Sequence, residues 1–472
     1  MTRGSWWDEL SSRLRDVSQV EPGYRDFGGK PLAPPSVCVR TTSAEEVAHV
    51  LEVATRHALP VTVRGAGHSG GGQTAAPGGI LLRHCPPGVR FELQGEVAQV
   101  PGHWAWHPVE EMLRAEARDL LVATSVLEAT VGGTLSMGGI GVRSIRRGAQ
   151  VDHVTGLELI CADGRSRFCS PTQEPDLFRS ALTGAGQVGI IERAWMTTAR
   201  HRAHLACSSA HHASLRELAG AIAWMGDLNA DVPEYFSALL RVGVLESTAA
   251  TAHASEPAAR RALGRRLYCG GTHVQHRVQS TRAFEQEERA MPGARWWRGR
   301  NLWCDYCFDA AGFASFCGFV DDELWDGLRG HLAYALCIAP ARCPPLALDL
   351  RPRTDRRLFS LGLFYSMQPD DEIGIANAER SQARALEVCV ALGGRPYLHG
   401  CWGGRDGLSF ERARSLFGAG HERLSAWRAR LDPCAILNPH GLSAAHAASG
   451  ATSSAAPSGV LVGGVAGAEL AI

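Results

Sequence analysis

Lysine is all but absent: Lys30 is the only one in 472 residues. The 48 basic residues are matched by 48 acidic ones, so the formal net charge is zero. A chain without basic excess lacks the electrostatic footprint of a nucleic-acid or anionic-membrane binder. The preference for arginine reflects a GC-rich genome rather than phosphate recognition. No apolar run reaches the roughly 18 residues of a membrane span. The N-terminus carries Trp6, Trp7, Leu10 and Leu14 at helical spacing but no apolar stretch or cleavage site of a signal peptide. A cytoplasmic location is therefore expected. The 14 cysteines follow no framework spacing and are expected as reduced thiols. Cys304 and Cys307 form a lone C-x-x-C, without the further ligands that zinc needs or the βαβ context of a thioredoxin site.

What is present is an ordinary globular composition, 45% hydrophobic and 20% charged, long enough for two packed domains. Ser43 with Glu46 forms a capping box, and Val47, Val50, Leu51, Ala54 and Ala58 share one helical face behind it. Strands are predicted at Val61–Val63, Gly79–Arg83 and Val97–Val100, and a helix from Val109 to Arg118. Residues 153–161 and 165–169 read as a hairpin turning at Asp163-Gly164. Pro175–Leu182 is helical, and Val188–Thr198 returns as a strand. From about residue 201 the pattern changes to longer helices, Leu215–Met225 and Pro257–Arg265, with strands such as Leu358–Tyr365. A single helix is predicted over Glu411–Arg430. After Ser443 the chain is nearly all Ala, Ser and Gly and is expected to be disordered.

Three glycine-rich segments carry the chemistry. The Val61–Val63 strand feeds Gly65-Ala66-Gly67-His68-Ser69-Gly70-Gly71-Gly72. Successive glycines permit positive φ and close approach, so their amides can cradle a pyrophosphate without lysine. Thr130-Val131-Gly132-Gly133-Thr134-Leu135-Ser136 opens a second glycine loop, running to Gly141. Gly184-Ala185-Gly186-Gln187-Val188-Gly189 fits G-x-G-x-x-G, but a helix precedes it and a strand follows. That order is the reverse of a dinucleotide fingerprint, so a Rossmann reading is rejected.

Arg64, Gly65, Gly67, His68, Ser69, Gly72 and Gln73, followed by Pro77-Gly78-Gly79, resemble the first FAD segment of the vanillyl-alcohol oxidase superfamily, in particular the cytokinin dehydrogenases. Asp26-Phe27-Gly28 matches a further family element. Thr130–Ser136 resembles the family's T-V-G-G-T-L-S, continuing through Gly139, Gly141, Arg146, Gly148 and Gln150. Residues 184–191 resemble its G-Q-F-G-I-I-T element. Leu431-Asp432-Pro433 with Ile436-Leu437-Asn438-Pro439 resembles the returning strand end. The resemblance implies an α+β, two-domain PCMH-type FAD-binding fold with an antiparallel-sheet substrate (cap) domain. Its parts would be an FAD domain over 1–200, a cap over 201–404, a C-terminal return over 405–442 and a tail over 443–472. It implies FAD attached through His68 to the flavin 8α-methyl group. Arg64, Gly65, Ala66, Gly67, Ser69, Gln73, Thr130, Gly132, Gly133, Ser136, Gly139, Gly189, Ile190, Ile191 and Asn438 would line the cofactor. The implied reaction is hydride transfer from a substrate C–H, beside an amine or alcohol, to the flavin.

The resemblance breaks at the catalytic base. Cytokinin dehydrogenases place an aspartate five residues before the T-V-G-G threonine, and Ser125 stands there in this chain. A serine hydroxyl is not a competent base at neutral pH without a partner, so cytokinin is a doubtful substrate. Glu128 is near in sequence, but on a strand it would face away from Ser125. Tyr397 matches a family tyrosine close to the flavin ring. His440 stands in the family's terminal P-G-Q and would also lie near it. Ser125, Tyr397 and His440 are thus the candidate catalytic residues. Glu128 also occupies the position where bicovalent relatives carry cysteine, so one covalent link is expected. The partner is a small-molecule substrate, with neither nucleic acid nor membrane. Two rival readings remain open: a sugar or alcohol oxidase of the same superfamily, or a non-redox flavin-binding scaffold favoured by the missing aspartate.

Overall fold

The computed structural model describes residues 5–18, 25–30, 33–241, 243–263, 270–289, 299–328, 331–341, 345–397, 400 and 410–439. Three sheets organise them, in an α+β arrangement. The first contains Asp16–Ser18, Val37–Thr41, Ile80–His84 and Val61–Val63 in that spatial order. Its last three strands are parallel, with Val37, Ile80 and Val61 in register. The second is built on the long strand Gly189–Arg200, flanked by Val97–Pro101 and by the hairpin of Val154–Cys161 with Ser166–Cys169. The third is an eight-stranded antiparallel sheet formed wholly between residues 204 and 396. Its half nearest the first two sheets runs Leu332–Ile338, Leu358–Met367, Arg300–Phe308, Arg395–Pro396.

Local chemistry explains most of these elements. The helix Ala44–Arg56 starts where Ser43 Oγ accepts the Glu46 amide at 3.3 Å, and it buries Val47, Val50, Leu51 and Ala54. Glu46 reaches back one residue further than a capping box requires, to the Thr42 amide at 2.6 Å. Ala58 does not join the buried face. It lies beyond the helix end, exposed and at φ 50°. Cys304 and Cys307 sit three apart on one strand and so face opposite sides of the sheet. Among the described residues, no helix is long and apolar enough to cross a membrane.

Three other expectations need correction. The second glycine segment is not a loop throughout: Val131–Met137 is a helix, capped by Thr130 Oγ1 on the Gly133 amide. Val131 and Leu135 are fully buried there, and that packing outweighs the poor helix propensity of two glycines. The predicted helix over 411–430 is two, Phe410–Phe417 and Ala419–Leu431, broken at Gly418 with φ 50°. Glu128 lies in a turn rather than on a strand, so the argument from strand alternation does not apply to it. The chain then returns to the first sheet. Leu437 bridges Val61, and Asn438 N donates to Val61 O at 2.7 Å. His440 and the segment 443–472 lie outside the described residues.

Candidate active site

One cavity runs between the first two sheets and opens beneath the third. Its wall includes Arg64, Gly65, Ala66, Gly67, His68, Ser69 and Gln73 from the first glycine segment. Thr130, Gly132, Gly133 and Ser136 come from the second, and Gly189, Ile190, Ile191 and Asn438 from the third and the C-terminal return. Ser125 and Tyr397 line it as well. Segments far apart in sequence therefore meet around one space. Gly139 is set behind this wall, where its carbonyl accepts the Gln150 amide at 2.8 Å. Asn438 locks the C-terminal return in place: its side-chain oxygen accepts the Val63 amide at 2.8 Å, and its amide donates to Gly186 O at 2.7 Å.

The geometry of the first loop fits a dinucleotide. The carbonyls of Gly67 and Ser69 are turned outward and accept the amides of Phe27 and Gly28, at 2.9 Å each. The amides of Gly65, Ala66, Gly67 and Ser69 take no acceptor among the described residues, which leaves them for a ligand in the cavity. A side chain at residue 65 would stand 2.2 Å from Thr130 Oγ1, so glycine alone lets the two segments meet there. His68 lies in this loop against the Phe27 ring, 5.6 Å away. Burial holds its imidazole well below the ordinary histidine range, at about 4. Glu128 pulls upward and Arg64 downward, each less strongly. The imidazole is therefore neutral at pH 7, the form with a nucleophilic nitrogen.

At one end of the cavity the strand ends contribute Arg83, His84, Cys85, His103 and Glu192. His84 bonds to Thr41 Oγ1 at 2.9 Å through Nδ1 and to Glu192 Oε1 at 3.1 Å through Nε2. No sequence motif marked these residues, because they come from different strand ends that only the fold brings together.

At the other end the eight-stranded sheet closes the cavity with Trp303, Asp305, Tyr334, Leu336 and Tyr397. Strand register sets a row across this sheet. Tyr334 pairs with Gly362, Gly362 pairs with Asp305, and Asp305 O accepts the Tyr397 amide at 2.8 Å. The glycine in the row makes room for the carboxyl. A methyl group at 362 would lie 2.5 Å from Asp305 Oδ1 and 3.0 Å from Trp303 Nε1. Asp305 is 3% exposed. Burial pushes its carboxyl up to about 7, and a hydrogen bond from Trp303 offsets this only in part. Burial also raises the Tyr397 hydroxyl, and Asp305 nearby adds to it. Asp305 is the ionisable group that sequence reasoning missed. Its neighbours Asp305-Tyr306-Cys307 form no motif, and its setting comes from strands 57 and 92 residues away.

Comparison with known proteins agrees with this geometry. Residues 35–170 match the family model described as FAD binding domain. Cytokinin dehydrogenase 4 of Arabidopsis thaliana is 32% identical over a stretch covering 38% of this chain and 38% of that protein. The match thus spans well under half the length of the curated relative. Among solved structures, a chitooligosaccharide oxidase superposes with a TM-score of 0.73 at 15% identity, covering 93% of this chain and 99% of the other. The 6-hydroxy-D-nicotine oxidase of Arthrobacter nicotinovorans gives 0.68 at 19% identity, with 91% and 97% covered. The chain has the fold of these oxidases, and the implied resemblance to the vanillyl-alcohol oxidase superfamily holds.

Proposed function

We propose that this chain, an FAD-binding member of the vanillyl-alcohol oxidase superfamily, is an oxidoreductase that carries its flavin on His68 and oxidises a C–H beside an alcohol or amine. The observation that carries the catalytic part is Asp305: a buried carboxyl at about 7, in the sheet that closes the cavity. FAD, when bound, would supply the two-electron sink for the substrate's hydride, and His68 would hold it through an imidazole nitrogen on the 8α-methyl carbon.

The chain's own residues divide the remaining work. The amides of the 65–69 segment, with the Thr130–Gly133 turn against them, hold the pyrophosphate. His103 and Glu192, the latter held by His84, would offer hydrogen bonds to the ribose and adenine half. His68, neutral at working pH, presents a nitrogen for attachment. Asp305 accepts the hydroxyl or ammonium proton of the substrate as the C–H hydride departs. A base at about 7 is half ionised at neutral pH, where general-base assistance is most effective. Tyr397, adjacent in the row, orients the substrate and hydrogen-bonds near the same proton. Ser125 faces the cavity as a hydrogen-bonding group and not as the base, so ordinary cytokinins are expected to turn over poorly.

The aromatic residues Trp303, Tyr334 and Tyr397 in the cavity wall favour a second reading, a sugar or alcohol oxidase, because such rings stack on the apolar faces of cyclic substrates. A non-redox scaffold is disfavoured, since it has no use for an ionisable carboxyl buried at this position. The attachment is tested by acid precipitation followed by mass analysis of the peptide containing His68. The wild-type peptide is expected to carry one FAD, and His68→Ala to release its flavin to the supernatant. Flavin released from the wild type would remove the covalent part of the proposal and leave the base assignment standing.

A further inference from the structure

Asp26 is 1% exposed and lies 42 residues before His68, outside the residues that line the cavity. Its carboxylate brackets the flavin-binding loop. Oδ2 accepts Ser69 Oγ at 2.7 Å and the Gly72 amide at 2.8 Å, and Oδ1 accepts the Gly29 amide at 3.0 Å. The next two residues bind the same loop through their amides, Phe27 to Gly67 O and Gly28 to Ser69 O. Three consecutive residues thus hold both sides of His68, and the Phe27 ring packs on its imidazole.

The other side of this segment is bound to the sheet that carries Asp305. Asn301 is fully buried. Its side-chain amide donates to Phe27 O at 2.8 Å, and its backbone amide to Gly28 O at 2.9 Å. Arg300 Nη1 also donates to Gly28 O, at 2.7 Å. Asn301 is in turn fixed by Ser366, whose hydroxyl donates to its oxygen at 2.7 Å. Asp305 stands four residues further along the same strand.

We infer that Asp26 is a positioning residue that sets the His68 loop, and registers it against the strand bearing Asp305, through one hydrogen-bonded segment, Asp26-Phe27-Gly28. The inference rests on reading His68 as the attachment point. A carboxylate is suited to the task because it only accepts, with two oxygens and about four lone-pair sites for three donors. An amide would turn an N–H₂ group towards a donor. Burying an ionised group is costly, and burial raises the Asp26 carboxyl above the ordinary range, while the hydrogen bonds from Ser69, Gly72 and Gly29 and the nearby Arg64 charge pull it back.

The experiment follows covalent flavin per polypeptide at intervals after induction, by in-gel fluorescence of acid-precipitated protein. The attachment being timed forms one N–C bond, breaks one methyl C–H and the imidazole N–H, and passes the two electrons and two protons to dioxygen as hydrogen peroxide. Wild type, Asp26→Asn, Asp26→Glu and Tyr306→Phe are compared. The last removes the buried bond to Gln382 Oε1 (2.6 Å) on the sheet's other face and controls for plain loss of stability. Misplacing a reacting group by a fraction of an ångström slows Asp26→Asn attachment roughly tenfold or more, with partial rescue by Asp26→Glu and a wild-type rate in Tyr306→Phe. Wild-type attachment in Asp26→Asn, or equal slowing in Tyr306→Phe, overturns the inference. Should Asp26→Asn fail to fold, Ser69→Ala, which removes one donor, is expected to slow attachment, and an unchanged rate overturns the inference. Should the wild type itself hold no covalent flavin, the His68 reading fails on its own. The inference is then judged by FAD retention during gel filtration, with loss expected in Asp26→Asn and wild-type retention overturning it.

Discussion

Asp305 and His68 are tuned in the same way, by burial that disfavours the charged form, with opposite results: one acid is raised and one base is lowered. The pH dependence follows from Asp305. Substrate-dependent flavin reduction is expected to rise with pH through about 7, and Asp305→Asn to flatten that limb while lowering the rate by about 10²–10⁴. The same shift acts on stability. A carboxyl raised from 3.8 to about 7 binds its proton more tightly folded than unfolded, so its contribution is present at low pH and is lost as pH rises through about 7. Melting temperatures of wild type relative to Asp305→Asn are therefore expected to fall between about pH 4 and 7 and to level off above that. Gly362→Ala, which pushes on Asp305 and Trp303, is expected to cost about 1–3 kcal/mol in denaturant unfolding and to impair substrate turnover. The place of His68 in the cavity wall was legible in sequence because its loop is contiguous. Asp305 was not, since its burial, its glycine gap and its tyrosine partner arise from strand register.

Elements were legible where pattern and capping agreed. The strand Val61–Val63, the Asp163-Gly164 hairpin and the helix after Ser43 form close to where their residues place them. The helix Val131–Met137 went unread because two glycines, each costing about 1 kcal/mol relative to alanine, mask its signal. Its formation depends on the Thr130 cap and on the burial of Val131 and Leu135. Thr130→Ala is therefore expected to destabilise the protein by about 0.5–2 kcal/mol and to weaken FAD retention, both measurable on the purified protein. Gly418 marks the opposite error: a helical pattern continued through a residue that the backbone needs in a left-handed conformation.

At the scale of the whole molecule, the cavity exists because the sheet of residues 204–396 is fastened to the sheets before it. Arg351, with no side-chain exposure, joins Asp152 (2.5 and 3.0 Å) to Asp349 (2.9 and 2.8 Å). Arg395 then donates to the carbonyls of Asp349 and Arg351, two residues before Tyr397. Arg351→Met leaves buried carboxylates without their cation and is expected to cost about 3–5 kcal/mol in urea unfolding. The central claim, that this assembly is a working flavin oxidoreductase with Asp305 as its base, is tested most directly by anaerobic absorbance. The purified yellow protein is mixed with a panel of cyclic alcohols, oligosaccharides and secondary amines. Bleaching of the flavin by at least one compound, strongly slowed in Asp305→Asn, is the expected result. A flavin that dithionite reduces but no compound bleaches, or one bleached equally fast in Asp305→Asn, would contradict it.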